Sequence, residues 1–252
     1  MKKISVILCL VLAVACCIFL GSCGHRSLDE IKESGVLYVG TNAEFPPYEY
    51  YEGDKATGFD MELAQYIADE LNVKLEIMDV QFNSILAGVK SGKMDIGLAG
   101  LTITEERQKS VDFSTPYVQA TQVVITRAES PVQSLDDLGE GTKIGTQNAT
   151  TGFIYASDIE GAIVTPYEKG ADAVMDLKNG KVDCVIIDNL PAREFVKANP
   201  ELTILEDPFE DEFYAAAVAK GNTELLEVIN KVIADMKEDG RYDALMDKYI
   251  NE

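Results

Sequence analysis

The residues with the clearest capacity for chemistry follow a short apolar run, Met94–Leu98, which predicts a buried strand. Thr104 is a typical helix N-cap residue, and it places Arg107 at the third helical position, where a cation opposes the helix dipole. The guanidinium group, the Thr102 hydroxyl and the free backbone N–H groups after Gly100 therefore converge on one small volume. Such a set of donors predicts a site for a carboxylate.

Two alternatives to this interpretation stay open from the residues alone. Arg107 could be a surface residue paired with Glu105 or Glu106. A second charged candidate, Asp188, follows the apolar run Val182–Ile187, where it could serve simply as the N-cap of the next helix. If both side chains face a common cleft, Arg107 and Asp188 supply the one cation and the one anion that a zwitterion needs.

The elements that must position these side chains alternate along the chain in two series. The first series is predicted as strands 36–40, 73–78 and 94–98 with helices 60–71, N-capped by Asp60, and 83–91. The second is predicted as strands 142–146, 162–167 and 182–187 with helices 151–157, 170–179 and 190–198. A helix–Gly–strand unit recurs at Lys90–Ile96 and Lys178–Cys184, which favours two similar lobes. Such alternation predicts an α/β fold with parallel-rich sheets and flanking helices.

Two apolar extended stretches, Gln122–Thr126 and Tyr214–Val218, fit neither series and predict strands that cross between the lobes. Helices predicted near 223–239 and 242–250 would return to the first lobe. We therefore expect a first lobe over 28–117, a second lobe with the hinge strands over 118–213, and a return segment over 214–252. Bending should be confined to about 117–121 and 210–214, and ligands should bind beyond the carboxyl ends of the strands.

The amino terminus predicts an exported protein. Residues 1–22 combine the basic Lys2 and Lys3 with a short apolar segment, which is typical of a signal peptide. The sequence Leu20–Cys23 resembles a bacterial lipobox, and this resemblance implies cleavage before Cys23, acylation of that cysteine and a brief tether over 23–27. The alternative is an ordinary signal anchor.

The composition excludes several classes of function. Without residues 1–22 the chain has 20 basic and 43 acidic residues, a formal charge of −23, which should repel nucleic acid. With His25 as its single histidine and Cys184 as the one cysteine left after Cys23, the mature chain offers no catalytic Cys–His pair, no histidine-based metal site and no disulfide framework. We therefore expect no cofactor and no metal, and a monomer.

Four ordered passages carry a resemblance to a known family. They are Gly40–Tyr50, Gly58–Leu63, Ala99–Tyr117, and the pair Ile144–Gly152 with Val185–Pro191. By these passages the chain resembles the family 3 solute-binding proteins, the extracytoplasmic receptors of polar amino-acid ABC importers, from about Leu28 onward. The resemblance implies a two-lobed, periplasmic-binding-protein-like fold of type II with two hinge strands and a membrane permease as partner.

The resemblance also implies a ligand-binding role for residues on both sides of the cleft. Arg107 would clamp the α-carboxylate, with Thr151 meeting it from the second lobe, and Asp188 would face the α-ammonium. The other implied site residues are Asn42, Glu44, Phe45, Phe82, Ala99, Gly100, Thr102, Gln147, Thr150 and Gly152.

Among these residues, Phe45 and Phe82 would sandwich the ligand side chain, whereas Asn42, Glu44 and Gln147 would set selectivity. The alternatives are ordinary core packing for the two phenylalanines. Thr150 and Thr151 could likewise be plain helix caps.

Two departures from the family pattern bear on the ligand. Asn42 stands where several relatives carry Asp, and Ala149 stands where many carry Gly. An anionic side chain would find no cationic partner in the pocket, so acidic amino acids should be rejected. Arginine, lysine or histidine are favoured, because a cation would gain from aromatic faces and from Glu44, and glutamine follows closely.

The implied function is capture of a polar, most simply basic, L-amino acid and its delivery to the permease, without catalysis. Two other classes stay open. The same fold hosts arogenate and cyclohexadienyl dehydratases, for which Glu44 would be the candidate general acid. A pure sensor ectodomain is disfavoured, because no transmembrane helix or signalling domain follows Glu252.

Overall fold

The computed structural model describes residues 24–205 and 207–251, which form two α/β lobes. The predicted signal peptide and the predicted acylation of Cys23 lie outside the described residues. Within them, no helix is both long and apolar enough to cross a membrane.

The first lobe opens the chain and carries one mixed sheet. Its elements are α1 (Leu28–Ser34), β1 (Val36–Thr41), β2 (Tyr50–Glu52), β3 (Lys55–Thr57), α2 (Phe59–Leu71), β4 (Lys74–Asp79), α3 (Phe82–Lys90), β5 (Ile96–Gly97), α4 (Glu105–Gln108) and β6 (Val111–Phe113). The predicted strands and helices of this series are present. The helix α1, the β2–β3 hairpin and the three-residue strand β6 were not predicted, because such short elements carry too few residues to show a periodic pattern.

The second lobe follows, and the chain then returns to the first. The second lobe comprises β7 (Val118–Arg127), β8 (Lys143–Gln147), α5 (Thr151–Asp158), β9 (Ile163–Tyr167), α6 (Gly170–Lys178), β10 (Cys184–Asp188), α7 (Asn189–Ala198), β11 (Leu202–Ile204) and β12 (Glu210–Tyr214). The return segment comprises β13 (Ala217–Ala219), α8 (Thr223–Asp239) and α9 (Arg241–Tyr249).

Each lobe has parallel strands at its centre and antiparallel strands where the chain crosses. The first sheet has the order β4-β1-β5-β13-β6, with β1 parallel to both neighbours and β13 antiparallel to both of its own. The second has the order β11-β7-β10-β8-β9, with β12 also paired to β7. The crossing strands β7 and β12 run antiparallel, from Val118 opposite Tyr214 to Gln122 opposite Glu210. The predicted bounds of the second crossing strand, Tyr214–Val218, are wrong, because β12 ends at Tyr214 and the chain continues as the separate strand β13. The sheets are therefore mixed, because strands that return from the other lobe must enter in the opposite direction.

The repeated helix–Gly–strand unit has the same geometry in both lobes. Gly92 and Gly180 each follow a helix at φ 72°, in the left-handed region that glycine adopts without steric cost. Each glycine then leads into a buried strand. Cys184, in the second copy, is fully buried among apolar side chains, as a small hydrophobic residue would be.

Candidate functional site

A cavity lies between the lobes, beyond the carboxyl ends of β1, β5, β8 and β10. This is the place that the open parallel sheets of an α/β fold offer to ligands. The residues that line it are Asn42, Phe45, Glu49, Phe82, Ala99, Gly100, Thr102, Arg107, Gln147, Thr150, Thr151 and Asp188. The structure thus brings together every predicted site residue except Glu44 and Gly152.

Arg107 is held in the cavity by its own helix. The Thr104 hydroxyl caps α4 by accepting a hydrogen bond from the Arg107 N–H at 3.1 Å, so Arg107 is at the third helical position as predicted. Its guanidinium donates to the Thr102 carbonyl at 2.8 Å and, across the cleft, to the Ala149 carbonyl at 3.1 Å. It makes no ion pair with Glu105 or Glu106, so the alternative of a surface pair is wrong.

Burial lowers the pKa of Arg107 from its usual value, and the carboxylates of Glu212 and Asp188 act in the opposite direction. A guanidinium nevertheless stays charged in proteins. The two bonds to carbonyl groups leave other guanidinium N–H groups available, since this side chain has five. The cavity therefore contains a fixed cation suited to a carboxylate.

Asp60 supports the floor of the cavity and is not a helix cap. Gly58 occupies the N-cap position of α2, so the predicted cap at Asp60 is wrong. Asp60 instead points inward, fully buried, and accepts from the Gly100 N–H at 2.9 Å and from the Tyr117 hydroxyl at 2.8 Å. Burial raises the pKa of Asp60 to about 6, against the effect of these donors.

The backbone conformation at position 100, on the floor of the cavity, favours glycine. Its φ of 53° lies in the left-handed region, and an added Cβ would come within 3.1 Å of the Phe45 ring. The backbone can therefore approach the cavity closely here. Ala99 and Thr102 flank this turn and complete the floor.

Asp188 provides the opposite charge from the second lobe. It stands at the N-cap position of α7, yet its side chain makes no capping hydrogen bond, so the simple capping alternative is wrong. Its Oδ1 accepts from the Tyr214 hydroxyl instead. Burial, followed by the charge of Glu212, raises the pKa of Asp188 to about 7. A cation placed beside this carboxyl would stabilise its charged form.

The second lobe adds the amino-terminal end of α5 to the cavity. The Thr150 hydroxyl accepts from the Phe153 N–H at 3.2 Å and donates to the Gln147 carbonyl at 2.8 Å, so it acts as a helix cap, one of the two alternatives. Thr151 lines the cavity at the first helical position. Gly152 does not line it: an added Cβ would lie 3.0 Å from the Gln122 Oε1, so the glycine permits close packing of α5 on β7.

The two phenylalanines predicted as aromatic walls both line the cavity but differ in their surroundings. Phe45 packs against the apolar clusters of both lobes and stacks on Tyr48 with ring centroids 5.9 Å apart. Phe82 lies beside the guanidinium of Arg107, 5.6 Å from ring centroid to Cζ. Phe45 is thus positioned to contact a ligand side chain, whereas part of Phe82 is covered by Arg107.

Polar side chains join the lobes at the mouth of the cavity. The Gln147 Nε2 donates to the Asn42 Oδ1 at 2.9 Å, and the Asn42 Nδ2 donates to the Val80 carbonyl at 3.0 Å. Glu44 lies outside the cavity and forms an ion pair with Lys169 of the second lobe. Lys169 follows β9, so this pair also spans the cleft.

Glu49 is the lining residue that the sequence interpretation missed. It is 1% exposed, and its carboxyl group lies beside that of Asp60. Burial and then the charge of Asp60 raise its pKa well above the usual range. A glutamate within the otherwise aromatic and proline-rich segment Phe45–Tyr50 was the available signal. Among the described residues, no group of three or more His, Cys, Asp or Glu side chains could hold a metal ion.

A family profile and several known proteins match most of this chain. The profile of the bacterial extracellular solute-binding proteins, family 3, matches residues 37–252. The arginine-binding extracellular protein ArtP of Bacillus subtilis is 31% identical over 246 residues, covering 95% of this chain and 96% of ArtP. The L-cystine-binding protein TcyJ of Escherichia coli K12 is 33% identical over 227 residues, covering 88% of this chain and 85% of TcyJ.

The fold is also that of a solved structure. The P235GK mutant of ArgBP from T. maritima superposes with a TM-score of 0.86 and 40% identity, over 90% of this chain and all of the other.

Proposed function

We propose that this chain, which belongs to the bacterial extracellular solute-binding proteins, family 3, captures one free L-amino acid between its lobes and delivers it to the permease of an ABC importer. One observation carries the proposal. Arg107 and Asp188 face the same cavity from opposite lobes, and neither charge is consumed by the alternatives of surface pairing or helix capping. A fixed cation and a fixed anion are what the α-carboxylate and α-ammonium groups require.

We further propose that the ligand is a basic amino acid, with L-arginine the first candidate. Arg107 is the one cation among the lining residues, and we assign it to the α-carboxylate. An anionic side chain would therefore have no cation to pair with and would lie near Asp188. The Phe45 ring offers an aromatic surface to a cationic side chain, and the names of the relatives include arginine-binding proteins.

Two amide side chains line the cavity, which would favour glutamine as a ligand, yet these amides are already hydrogen-bonded. Asn42 and Gln147 bond to each other across the cleft, and each also donates to a backbone carbonyl. Little of their hydrogen-bonding capacity is left for a ligand amide. Glu44, paired with Lys169, likewise does not act on the ligand directly. Selection of a cation would therefore depend on the buried carboxyl groups.

A thermal-shift screen of the twenty amino acids, followed by calorimetry on the best, tests this proposal. The largest stabilisation should come from arginine, lysine or histidine, because, at equal ligand concentration, a ligand that binds only the folded form stabilises it more the more tightly it binds. Arg107→Ala should abolish the response, whereas Arg241→Ala, which removes a surface arginine paired with Asp239, should not. A response led by glutamate or aspartate would overturn the proposed ligand class.

We also propose an extracytoplasmic position with a lipid anchor at Cys23. The Leu20–Cys23 sequence supports it, and two or more acyl chains hold a protein stably at a membrane, whereas one does so only marginally. Cys23→Ser should release the protein or leave it unprocessed, as seen by fractionation and intact mass. A Cys23→Ser protein of mature mass that stays in the membrane fraction would contradict the anchor.

Catalysis of the dehydratase type would have to use Glu49, because Glu44 does not line the cavity. We propose that the protein binds its ligand and does not catalyse a reaction on it. Incubation with arogenate and quantification of released phenylalanine or tyrosine tests this. Release of phenylalanine or tyrosine by the wild type that is lost in Glu49→Gln would show instead that the protein is an enzyme.

A further inference from the structure

We propose that Glu212, on the crossing strand β12, is a positioning residue that fixes the Thr102 hydroxyl as a hydrogen-bond acceptor for the α-ammonium group of the ligand. Glu212 does not line the cavity and would not touch the ligand. The inference rests on the proposed function, since it assumes an amino-acid ligand. It concerns one atom of the site, the Oγ1 of Thr102.

The contacts of Glu212 connect the cavity floor to the hinge. The carboxylate is 2% exposed, and its Oε2 accepts from the Thr102 hydroxyl at 2.9 Å and from the Gln122 Nε2 at 3.1 Å. Thr102 belongs to the first lobe, whereas Gln122 and Glu212 lie on the two crossing strands. The backbone of Thr102 also forms an isolated bridge with Tyr214, two residues beyond Glu212. The side chain of Thr102 is therefore held directly against the hinge.

The direction of the bond from Thr102 determines what its oxygen can do. A threonine hydroxyl has one proton and two lone pairs, and an ionised carboxylate can only accept. Because the proton of Thr102 is directed to Glu212, only lone pairs remain for the cavity. Lone pairs attract an ammonium group and repel a carboxylate. Without Glu212 the hydroxyl would be free to rotate, and it could no longer favour one end of the amino acid over the other.

The charge of Glu212 reinforces this orientation. Arg107, Asp188, Tyr155 and Tyr214 face it from the surrounding elements, and the Oε1 of Glu212 has no hydrogen-bond partner among the described residues. Arg107 balances the carboxylate on one side. Hydrogen bonds to an ionised acceptor are stronger than those between neutral groups, so the Thr102 proton is held firmly.

Removing Glu212 should weaken the binding of ligands that carry an α-ammonium and spare those that lack it. The probes are L-arginine and its deamino analogue, guanidinovaleric acid, measured by calorimetry. Glu212→Ala should weaken L-arginine binding about tenfold or more, the usual range for loss of a hydrogen bond to a charged group, and should change the binding of the analogue less than about threefold. Retained binding of the analogue also shows that the variant has folded with an intact cleft.

A double-mutant cycle separates positioning from a general charge effect. Thr102→Val should weaken L-arginine binding to a similar degree, and adding Glu212→Ala to it should cost little more, because both act through the same hydroxyl. Glu212→Gln keeps an oxygen that can accept from Thr102, so it should lose less than Glu212→Ala. Equal losses in both Glu212 variants, additive with Thr102→Val, would overturn the positioning role.

The outcomes distinguish this inference from the proposed function. Wild-type protein that binds no amino acid would overturn the proposed function. Wild-type protein that binds L-arginine, with Glu212→Ala binding it equally well, would overturn only the role of Glu212. If Glu212→Ala fails to fold, the cycle is carried out with Glu212→Leu, which removes the acceptor and keeps the volume of the side chain, and full additivity with Thr102→Val contradicts the inference.

Discussion

Asp188→Asn should weaken ligand binding and at the same time stabilise the ligand-free protein. The substitution keeps the size of the side chain and an oxygen that can accept from the Tyr214 hydroxyl. It removes the negative charge that we propose as the partner of the ligand's α-ammonium group. Loss of one partner from a buried charge pair costs about 3–5 kcal/mol, which weakens binding by about two to three and a half orders of magnitude.

The gain in stability follows from the pKa of Asp188. Burial and the charge of Glu212 raise it from an ordinary 3.8 to about 7, so at pH 8 the folded protein must ionise a group that it holds more readily as the neutral acid. At about 1.4 kcal/mol per pKa unit, this costs up to about 4 kcal/mol of the free energy of unfolding. The cost is absent below pH 4, grows as the pH rises and is complete above pH 7. Asparagine does not ionise, so the Asp188→Asn protein does not carry this cost.

The assay combines calorimetry with L-arginine at pH 8 and thermal unfolding without ligand at pH 8 and pH 5. Asp188→Asn should melt at a higher temperature than the wild type at pH 8, and the difference should shrink at pH 5. Asp176→Asn, which removes a carboxylate paired with Lys181 on the same lobe, is the matched control and should leave the affinity unchanged. Wild-type affinity in Asp188→Asn, or a lower melting temperature at pH 8, would refute the reasoning.

Three further predictions concern the same cleft. Arg107→Lys keeps a cation but loses the two-pronged contact, so calorimetry should show binding weakened at least about tenfold, and equal affinity would count against the clamp. Because the ammonium group favours ionised Asp188, ligand binding at pH 6 should release close to one proton and at pH 8.5 almost none, as calorimetry in two buffers of different ionisation enthalpy would show. Lys169→Ala removes the surface pair with Glu44 and should speed ligand dissociation by no more than about fivefold in stopped flow, whereas Lys231→Ala, paired within the first lobe, should leave the rate unchanged.

The parts of the site that depend on residues close together in the sequence could be predicted from the sequence alone. Thr104 and Arg107 are three residues apart, so a cap and a helical turn fix their relation without knowledge of the rest of the fold. The strands that precede Ala99 and Asp188 are apolar and contiguous, and their carboxyl ends meet at the cleft in any parallel arrangement. These residues could therefore be assigned to one site before the structure was available.

Residues placed by tertiary packing could not be assigned in this way. Asp60 satisfies the pattern of an N-cap, yet Gly58 occupies the cap and Asp60 turns inward to the Gly100 N–H. The preference of a carboxylate for a helix amino terminus is worth about 1 kcal/mol, too little to decide against tertiary contacts. Glu44 and Glu49 both belong to the same loop, and only the turn between them determines which one faces the cavity.

Glu212 left a weak trace in the sequence. In a strand, alternate residues share a face, so Glu212 must point to the same side as Tyr214, which is fully buried. A glutamate in such a position predicts a buried carboxylate with a partner. The partner itself, Thr102, is 110 residues away, and no local pattern connects the two.

The buried carboxyl groups explain why ligand and closure should depend on each other. Asp188 and Glu212 both belong to the second lobe and are buried beside the cleft, and burial followed by the charge of Glu212 raises the pKa of Asp188, so ionising this carboxyl carries a cost. The positive charge of Arg107 offsets part of this cost, but the guanidinium group is itself buried and also requires an anion as a partner. An amino acid supplies both missing charges: its carboxylate for Arg107 and its ammonium for the carboxyl groups. Because an amino acid would supply these charges only where both lobes contact it, we expect the ligand to shift the population toward a closed form. The predicted proton release measures the change in ionisation of Asp188 that accompanies binding.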